Sequence, residues 1–297
     1  MNYQLVTAII TTHNRLNLLK RAIDSVLRQT YRNIELVVVD DASDDGTKDY
    51  CITQSFQYIY ISPMESKGGN YARNVGIRIA RGRYIAFLDD DDYWLPEKIE
   101  KQVELIESKN CELVYCGRKL EYILDKGVRY YDILPNPLNC GDMRKRILYT
   151  ICCITTNILV KRKALVDVGF FDENLKFWQE YELTIRLAQR SPFYFVNESL
   201  SVYRIDEKDR QRLTNKYKEW KESVAYIRQK HADLYVTLNI LESIRVYLLI
   251  LGDAYGRCKR SNMKIKYYQL YTSWYILSLP FRIYDKIKQK CARKILL

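Results

Sequence analysis

A chain of 297 residues has room for one large domain, or for a domain with an appendage. Its 47% hydrophobic and 13% aromatic content, 26 Tyr included, argues against disorder. Eight scattered Cys without a CxxC pair, beside only His13 and His231, support neither a zinc site nor a disulfide framework. Charge is unevenly placed: residues 1–200 carry 27 Lys+Arg against 27 Asp+Glu, and residues 201–297 carry 21 against 9, the whole surplus of +12. Such asymmetry points to an appended basic module that meets nucleic acid or an anionic membrane. Met1-Asn2-Tyr3-Gln4 lacks the basic and apolar regions of a signal peptide, so a cytoplasmic protein is expected.

In chain order, Val6–Thr11 reads as a strand and Leu16–Arg28 as an amphipathic helix burying Leu19, Ile23, Val26 and Leu27. Ile34–Val39 is a second strand, followed by the polar loop Asp40–Thr47. Tyr58–Ile61, Asn70–Ala80, Tyr84–Leu88, Pro96–Ser108 and Leu113–Cys116 continue as strand, helix, strand, helix, strand. This alternation predicts βαβ units and a largely parallel sheet with helices on both faces, so ligands bind beyond the strands' carboxyl ends. Thr11–Arg15, Asp40–Gly46 and Asp89–Asp92 then share one crevice. Beyond residue 120 the rhythm is irregular: part of a hairpin over Val128–Ile133, a strand over Thr155–Val160, a helix over Trp178–Gln189 and a strand over Phe193–Val196. From Leu213 the pattern is almost wholly helical.

Four consecutive carboxylates, Asp89 to Asp92, stand directly behind the apolar strand Tyr84–Leu88. Like charges there repel one another unless a cation meets them, and a divalent metal carrying a phosphate ester is the simplest such cation. One Asp would suffice to cap the helix that Pro96 opens. Gly68 and Gly69 precede a helix and could cradle phosphate through free N–H groups, or simply form its turn and cap. Arg73 and Asn74 follow within reach of such a phosphate. Neither GxGxxG after the first strand nor GxxxxGK[ST] is present, which disfavours a dehydrogenase or a P-loop enzyme.

Together, Val6–Arg15, Gln29-Thr30-Tyr31, Glu35–Thr47, Ala72–Ile77 and Gly82–Asp92 resemble the family 2 glycosyltransferases, in the expected order and over roughly residues 5–205. The resemblance implies a GT-A fold, an α/β, Rossmann-like, mixed but mostly parallel sheet flanked by helices. It places a GT-A catalytic domain at 1–210, with a nucleotide-sugar half over about 1–118 and an acceptor half over about 119–210. A basic helical C-terminal region, 211–297, follows. It also implies transfer of a sugar from a nucleotide donor with inversion at the anomeric carbon. Residue by residue, Thr11 and His13 would line the nucleobase pocket, with Asn14 and Arg15 on the same donor side and Asp41 accepting the N3–H of a uracil. His13 stands where the family more often has Tyr, and Thr11 where it often has Pro. Arg73 would lie near the diphosphate, Asp90 would face the ribose, and Asp91, with Asp89 beside it, would bind Mn²⁺ or Mg²⁺. Asp89 and Asp92 would also support the loop. A hard cation on carboxylate oxygens neutralises the charge that builds on a departing diphosphate.

A sugar hydroxyl is a weak nucleophile and needs a base on the face opposite the leaving group. In the stretch Gly169–Leu183, Glu180 occupies the family's base position, where Asp is usual. Glu182, about 200° further round the helix, cannot share its face. Tyr203-Arg204 resembles the family's later Tyr-Arg pair. The Gln-x-x-Arg-Trp signature of processive synthases is missing, so one sugar per acceptor is expected.

In the tail, Val246–Leu251 is far shorter than the ~20 residues of a spanning helix. Trp274, Tyr275, Ile276, Leu277, Leu279 and Phe281 mix with Arg282, and Lys286, Lys288, Lys290, Arg293 and Lys294 follow. This composition suits a lipid–water interface, or a helical subdomain packed on the catalytic domain with its basic residues solvated. No nucleic-acid module accompanies the charge. The expected enzyme takes a nucleotide sugar, UDP-linked by preference, to a lipid-linked oligosaccharide at the inner membrane face, in O-antigen or capsule assembly. Two alternatives remain. A nucleotidylyltransferase of related fold would need a Gly- and Lys-rich loop where Thr11–Arg15 has no glycine. A catalytically silent scaffold subunit would not need the carboxylates at 89–92 and 180.

Overall fold

The computed structural model describes residues 4–206, 216–261 and 263–296, with side chains through residue 292. Its strands are β1 Val6–Thr12, β2 Ile34–Asp41, β3 Gln57–Ile61, β4 Tyr84–Asp89, β5 Tyr93–Trp94, β6 Leu113–Leu124, β7 Gly127–Ile133, β8 Ile158–Lys161 and β9 Phe193–Asp206. Its helices are α1 Leu16–Leu27, α2 Thr47–Cys51, α3 Gly69–Ile79, α4 Lys98–Lys109, α5 Arg162–Asp167, α6 Gln179–Ala188, α7 Tyr217–Lys230, α8 Ala232–Tyr235, α9 Ile240–Arg260 and α10 Lys264–Leu296.

One nine-stranded sheet runs β3-β2-β1-β4-β8-β6-β9-β5, with β7 paired to β6. The strands β1, β2, β3 and β4 pair in parallel, as does β6 with β9, whereas β8 is antiparallel to both β4 and β6. Register carries the alternation of side chains into two cores. Ile9, Val37, Val39, Ile85 and Phe87 pack on one face with Ala72 and Ile77 of α3 and Leu183 and Ile185 of α6. Ala8, Ile10, Leu36, Val38, Ala86 and Leu88 pack on the other with Leu19 and Ile23 of α1 and Ile99 and Ile106 of α4. Thr12 lies opposite Asp40, and Thr11 opposite Asp89, so the ends of β1, β2 and β4 are level and their following loops meet.

Several elements differ from the sequence expectation: the strand expected to end at Cys116 runs on to Leu124, and Leu27 of α1, expected on the buried face, is exposed. The helix expected from Pro96 starts at Lys98, after a short strand, β5, on which Tyr93 and Trp94 pair with Val202 and Ser201. The strand expected from Thr155 starts at Ile158, because Thr155–Asn157 forms a 3₁₀ turn closed by the Ile154 N–H on Asn157 Oδ1 at 3.0 Å. The strand expected to end at Val196 continues to Asp206. It crosses an irregularity at Gly117, where a Cβ would sit 2.8 Å from the carbonyl oxygen of Glu198.

The C-terminal helices do pack on the catalytic domain. Trp220 and Val224 of α7 and Ala254 of α9 enclose Phe177, and Val246, Leu248, Leu251 and Cys258 of α9 are also buried. Asn239 caps α9 through a reciprocal pair of 2.9 Å bonds with Glu242. The helix α10 returns along α9, pinned where Arg245 meets both Asp285 oxygens at 2.8 Å. Its outer face leaves Ile265, Ile276, Ile283 and Ile287 exposed. No helix among the described residues is long and apolar enough to cross a membrane. The boundary expected at residue 210 lies outside the described residues, as do the side chains of Arg293 and Lys294.

One buried carboxylate joins α6 to α7. Glu182 accepts from Arg186 at 2.6 Å, Lys230 at 2.9 Å and His231 at 3.0 Å. Burial alone would raise its carboxyl, but these donors outweigh burial and hold it at about 2 against an ordinary 4.5. Because the folded value is the lower one, this stabilisation is complete above pH 4.5 and is lost as pH falls from 4.5 towards 2, a contribution of about 3 kcal/mol. Urea unfolding of Glu182→Gln should show a loss of about 3 kcal/mol at pH 7 and a flatter acid limb over that window. An unchanged midpoint at pH 7 would show that the network does not anchor α6.

Candidate active site

The three loops beyond β1, β2 and β4 are held to one another by side chains. Thr12 Oγ1 donates to Asp90 Oδ2 at 2.8 Å, and the Asn14 N–H donates to Ser43 Oγ at 2.8 Å. The Asp44 N–H donates to Asn14 Oδ1 at 2.8 Å, and His13 Nδ1 lies 2.6 Å from the Asp41 carbonyl oxygen. Asn14 (φ 54°) and Ala42 (φ 65°) adopt the left-handed region, a local strain that the cross-loop bonds sustain. His13 is exposed on the rim and Thr11 is half-buried. Asp41 is buried, and its Oδ1 has no hydrogen-bond partner among the described residues. A buried acceptor without a donor is costly, so this oxygen is able to accept from a water or a ligand N–H.

The acidic run is met by arginines. Arg15 Nη1 lies 3.2 Å from Asp90 Oδ1 and 3.1 Å from Asp91 Oδ2, and Arg73 Nη2 lies 2.6 Å from Asp89 Oδ1. The cations that meet the run within the chain are thus two guanidinium groups, beside which a metal could still bind. Asp90, expected to face a ribose, is buried, with its oxygens turned to Thr12 and Arg15. Burial first, and then the charge of Asp91, pushes its carboxyl up to about 7. Asp92 is wholly buried, accepts from Thr156 Oγ1 at 2.6 Å and from the Arg204 N–H at 3.0 Å, and is raised well above its ordinary value by burial and by Asp91 and Asp89. It fastens the loop to the turn before β8 and to β9. The side chain of Arg204 turns to Asp206 at 2.7 Å. Asp89 and Asp91 keep the more accessible oxygens, their side chains 30% and 24% exposed.

Among the described residues no three His, Cys, Asp or Glu groups converge as a metal cage. Mg²⁺ is usually held by one or two carboxylates and completed by substrate phosphate oxygens and water. The accessible oxygens of Asp91 and Asp89 fit that partial ligand set.

The turn at 67–68 and the start of α3 act through side chains as well as glycine. Gly68 (φ 88°) supplies the turn, and a Cβ on Gly69 would crowd Arg73 Nη1 at 3.3 Å. Asn70 Nδ2 donates to the carbonyl oxygens of Asp172 and Leu175 at 2.8 and 2.9 Å. Asn74 binds both the carbonyl oxygen and the N–H of Phe171 at 2.9 Å. The helix that positions Arg73 thus also fixes the segment leading to α6. Trp178, at the entry to α6, has φ 57°, a genuine strain for so bulky a residue. Its indole Nε1 donates to Asp253 Oδ2 of α9 at 2.9 Å, and its ring meets Tyr181 and Trp220 edge-on.

Glu180 follows in the first turn of α6. Its carboxylate has no side-chain hydrogen bond among the described residues, and it opens onto a cavity of about 580 Å³ below α9 and α10. Burial raises its carboxyl above the ordinary 4.5, while Arg73, Asp89 and Arg118 all lie close enough to bias it. The structure therefore brings Glu180 to the edge of the crevice that holds the acidic run. Arg118 of β6, Trp178 and Asp253 belong to this neighbourhood and were not selected from sequence. Arg118 is half-buried, its guanidinium biased downward by burial, and no hydrogen bond or ion pair from it is found among the described residues. An Arg in an otherwise alternating strand carries no motif, so only the fold could reveal it.

The family model of Glycosyl transferase family 2 matches residues 7–169, more than half of the chain. The chain belongs to glycosyl transferase family 2. An uncharacterized glycosyltransferase of Rickettsia prowazekii (strain Madrid E) is 32% identical over 206 residues, 68% of this chain and 64% of that protein, so the match spans less than two thirds of its length. An Escherichia coli UDP-Glc:alpha-D-GlcNAc-diphosphoundecaprenol beta-1,3-glucosyltransferase is 30% identical over 253 residues, 81% of this chain and 94% of that one. In structure, the mannosyltransferase PcManGT of Pyrobaculum calidifontis, solved with GDP-Man and Mn²⁺, aligns with a TM-score of 0.56 at 17% identity over 99% of this chain and 87% of that one. At that identity the likeness shows the fold, a GT-A sheet with a helical C-terminal extension. As a family 2 glycosyltransferase, the chain carries the crevice at the end of β1, β2 and β4 that its sheet topology requires.

Proposed function

We propose that this glycosyltransferase inverts configuration while moving one sugar from a nucleotide donor, a UDP-sugar by preference, to a lipid-linked saccharide. The observation that carries this reading is Glu180: a carboxylate without a side-chain hydrogen bond among the described residues, its proton affinity raised by burial, set between the acidic crevice and a separate cavity. Asp41 Oδ1 would accept the uracil N3–H, with Thr11, His13 and Asn14 around the base. Arg15 and Arg73, with Arg118, would face the diphosphate, and Asp90 would hold the loops in place. Asp91 and Asp89 would hold Mn²⁺ or Mg²⁺, which supplies neutralisation of the diphosphate's growing charge. Glu180 takes the proton of the acceptor hydroxyl as its oxygen bonds to the anomeric carbon. The bond to the diphosphate breaks on the opposite face, and its electron pair leaves with the nucleotide. Attack opposite the leaving group gives inversion. The E. coli relative's name supports a UDP donor and a lipid-diphosphate acceptor.

Contact with an anionic membrane surface belongs to the same proposal. Exposed Ile276, Ile283 and Ile287 lie on α10 among Lys286, Lys288 and Lys290. Each Lys near an anionic surface contributes about 1 kcal/mol.

Glu180→Gln should lower transfer by about 10²- to 10⁴-fold with donor affinity retained, and Asp91→Ala should lower both transfer and UDP-sugar hydrolysis in Mn²⁺. Since a base works only when ionised and this one is shifted upward, kcat/KM should fall with decreasing pH along a limb centred above 4.5, which Glu180→Gln should remove. Near-normal transfer by Glu180→Gln would deny it the role of base, and unaltered hydrolysis by Asp91→Ala would refute the metal assignment. Sedimentation with phosphatidylglycerol vesicles tests the membrane contact: reversing Lys286, Lys288 and Lys290 to Glu should weaken binding at least tenfold. Equal recovery of both proteins would end that part of the proposal.

A further inference from the structure

The cavity beyond Glu180 has two chemically different ends. Trp178 and Glu180 line it from the catalytic domain, and Tyr255, Trp274, Arg257 and Arg282 line it from α9 and α10. At about 580 Å³ it lies within the usual range for a bound small molecule. Two of its charges are already matched to carboxylates: Arg245 to Asp285 through two 2.8 Å contacts, and Arg257 Nε to Asp253 at 3.0 Å. Arg257 is buried, and its Nη1 still has no acceptor among the described residues. Arg282 rests on the faces of Trp274 and Tyr275, 5.5 Å from each ring centre, and no carboxylate partner for it is found among the described residues. Glu180, without a side-chain hydrogen bond among the described residues, therefore shares an aromatic-walled cavity with Arg282 and with the unsatisfied Nη1 of Arg257. Trp274 is seated on the α9 backbone, where a Cβ on Gly252 would come within 3.0 Å of its Nε1.

We infer that this cavity is the acceptor site, and that Arg282 binds the diphosphate by which the acceptor saccharide is joined to its apolar chain. The inference rests on Glu180 being the base and adds the ligand's other contacts. The reacting hydroxyl lies at Glu180, and the sugar rings stack on the aromatic wall. A guanidinium fork matches phosphate oxygens and binds them bidentately, and the aromatic faces beneath Arg282 hold it flat for that contact. The apolar chain leaves along Ile276, Leu279 and Ile283, which are exposed on the same helix. The α9–α10 hairpin is then one wall of the active site, and the basic surplus of the tail has a specific ligand as well as a surface.

Quenching of tryptophan fluorescence, to which Trp178 and Trp274 contribute at the cavity, gives a binding assay on the full chain. The probes are N-acetylglucosamine joined to a decyl chain through a diphosphate, the decyl glycoside without phosphate, and short-chain phosphatidylglycerol as a headgroup control. The diphosphate-linked probe should bind at least tenfold more tightly than either comparator. Arg282→Gln should erase that preference, and Arg282→Lys should recover part of it. Equal binding of the two decyl probes, equal binding of phosphatidylglycerol, or an undiminished preference in Arg282→Gln would each overturn the inference. UDP-sugar hydrolysis by the same wild-type preparation reads the donor chemistry separately, so this inference and the proposed function can fail independently.

Discussion

The site depends on how four adjacent aspartates are kept at the end of β4. Their mutual repulsion is relieved in two ways. Arg15 and Arg73 neutralise the outward carboxylates, and burial moves Asp90 and Asp92 towards their protonated forms. Each compensation is also a tether. Arg15 brings the loop after β1 to the acidic run, Arg73 brings α3, and Asp92 reaches the turn before β8 and the backbone of β9. Removing the charges would not merely empty a ligand site. It would disconnect the segments that shape it.

The second half of the site follows from α3. Asn70 and Asn74 bind the 171–175 backbone, so the helix that aims Arg73 at the acidic run also sets where α6 begins. Glu182 locks α6 onto α7, and Trp178 reaches Asp253 of α9, leaving Glu180 as the carboxylate of that first turn without a side-chain partner among the described residues. Left-handed backbone at Asn14, Ala42, Phe170 and Trp178 falls in these same segments. Strain of order 1–3 kcal/mol at each such residue persists only where surrounding contacts over-determine the backbone, as they do on both sides of this crevice. The geometry of both sides of the crevice is consequently set by one connected framework.

Much of this was legible in the sequence because period-2 and period-3.6 patterns dominate residues 6–116. The apolar runs there are buried on both faces, and the polar loops that end them are where the topology puts ligands. The convergence of Thr11–Arg15, Asp40–Gly46 and Asp89–Asp92 followed from strand order alone. What stayed hidden depends on contacts distant along the chain. Asn197, Glu198 and Ser199 look like the end of a strand, yet β9 continues through them because Gly117 accommodates the irregularity. The inward turn of Asp90 depends on Thr12 and Arg15, 78 and 75 residues away. Arg118, Asp253 and Arg282 match no motif and matter only through the surfaces they face. The tail's basic, aromatic composition was readable, but composition cannot distinguish helices that pack from helices that line a cavity, and here α9 and α10 do both.

Hydrogen exchange of the amides on adding saturating UDP with Mn²⁺ tests most directly whether the three loops form one nucleotide crevice. Protection should rise together in residues 11–16, 40–47 and 89–93, with a smaller effect over 69–74 and little change along α10. Saturating nucleotide that protects none of these segments, or that protects the C-terminal helices instead, would contradict the account.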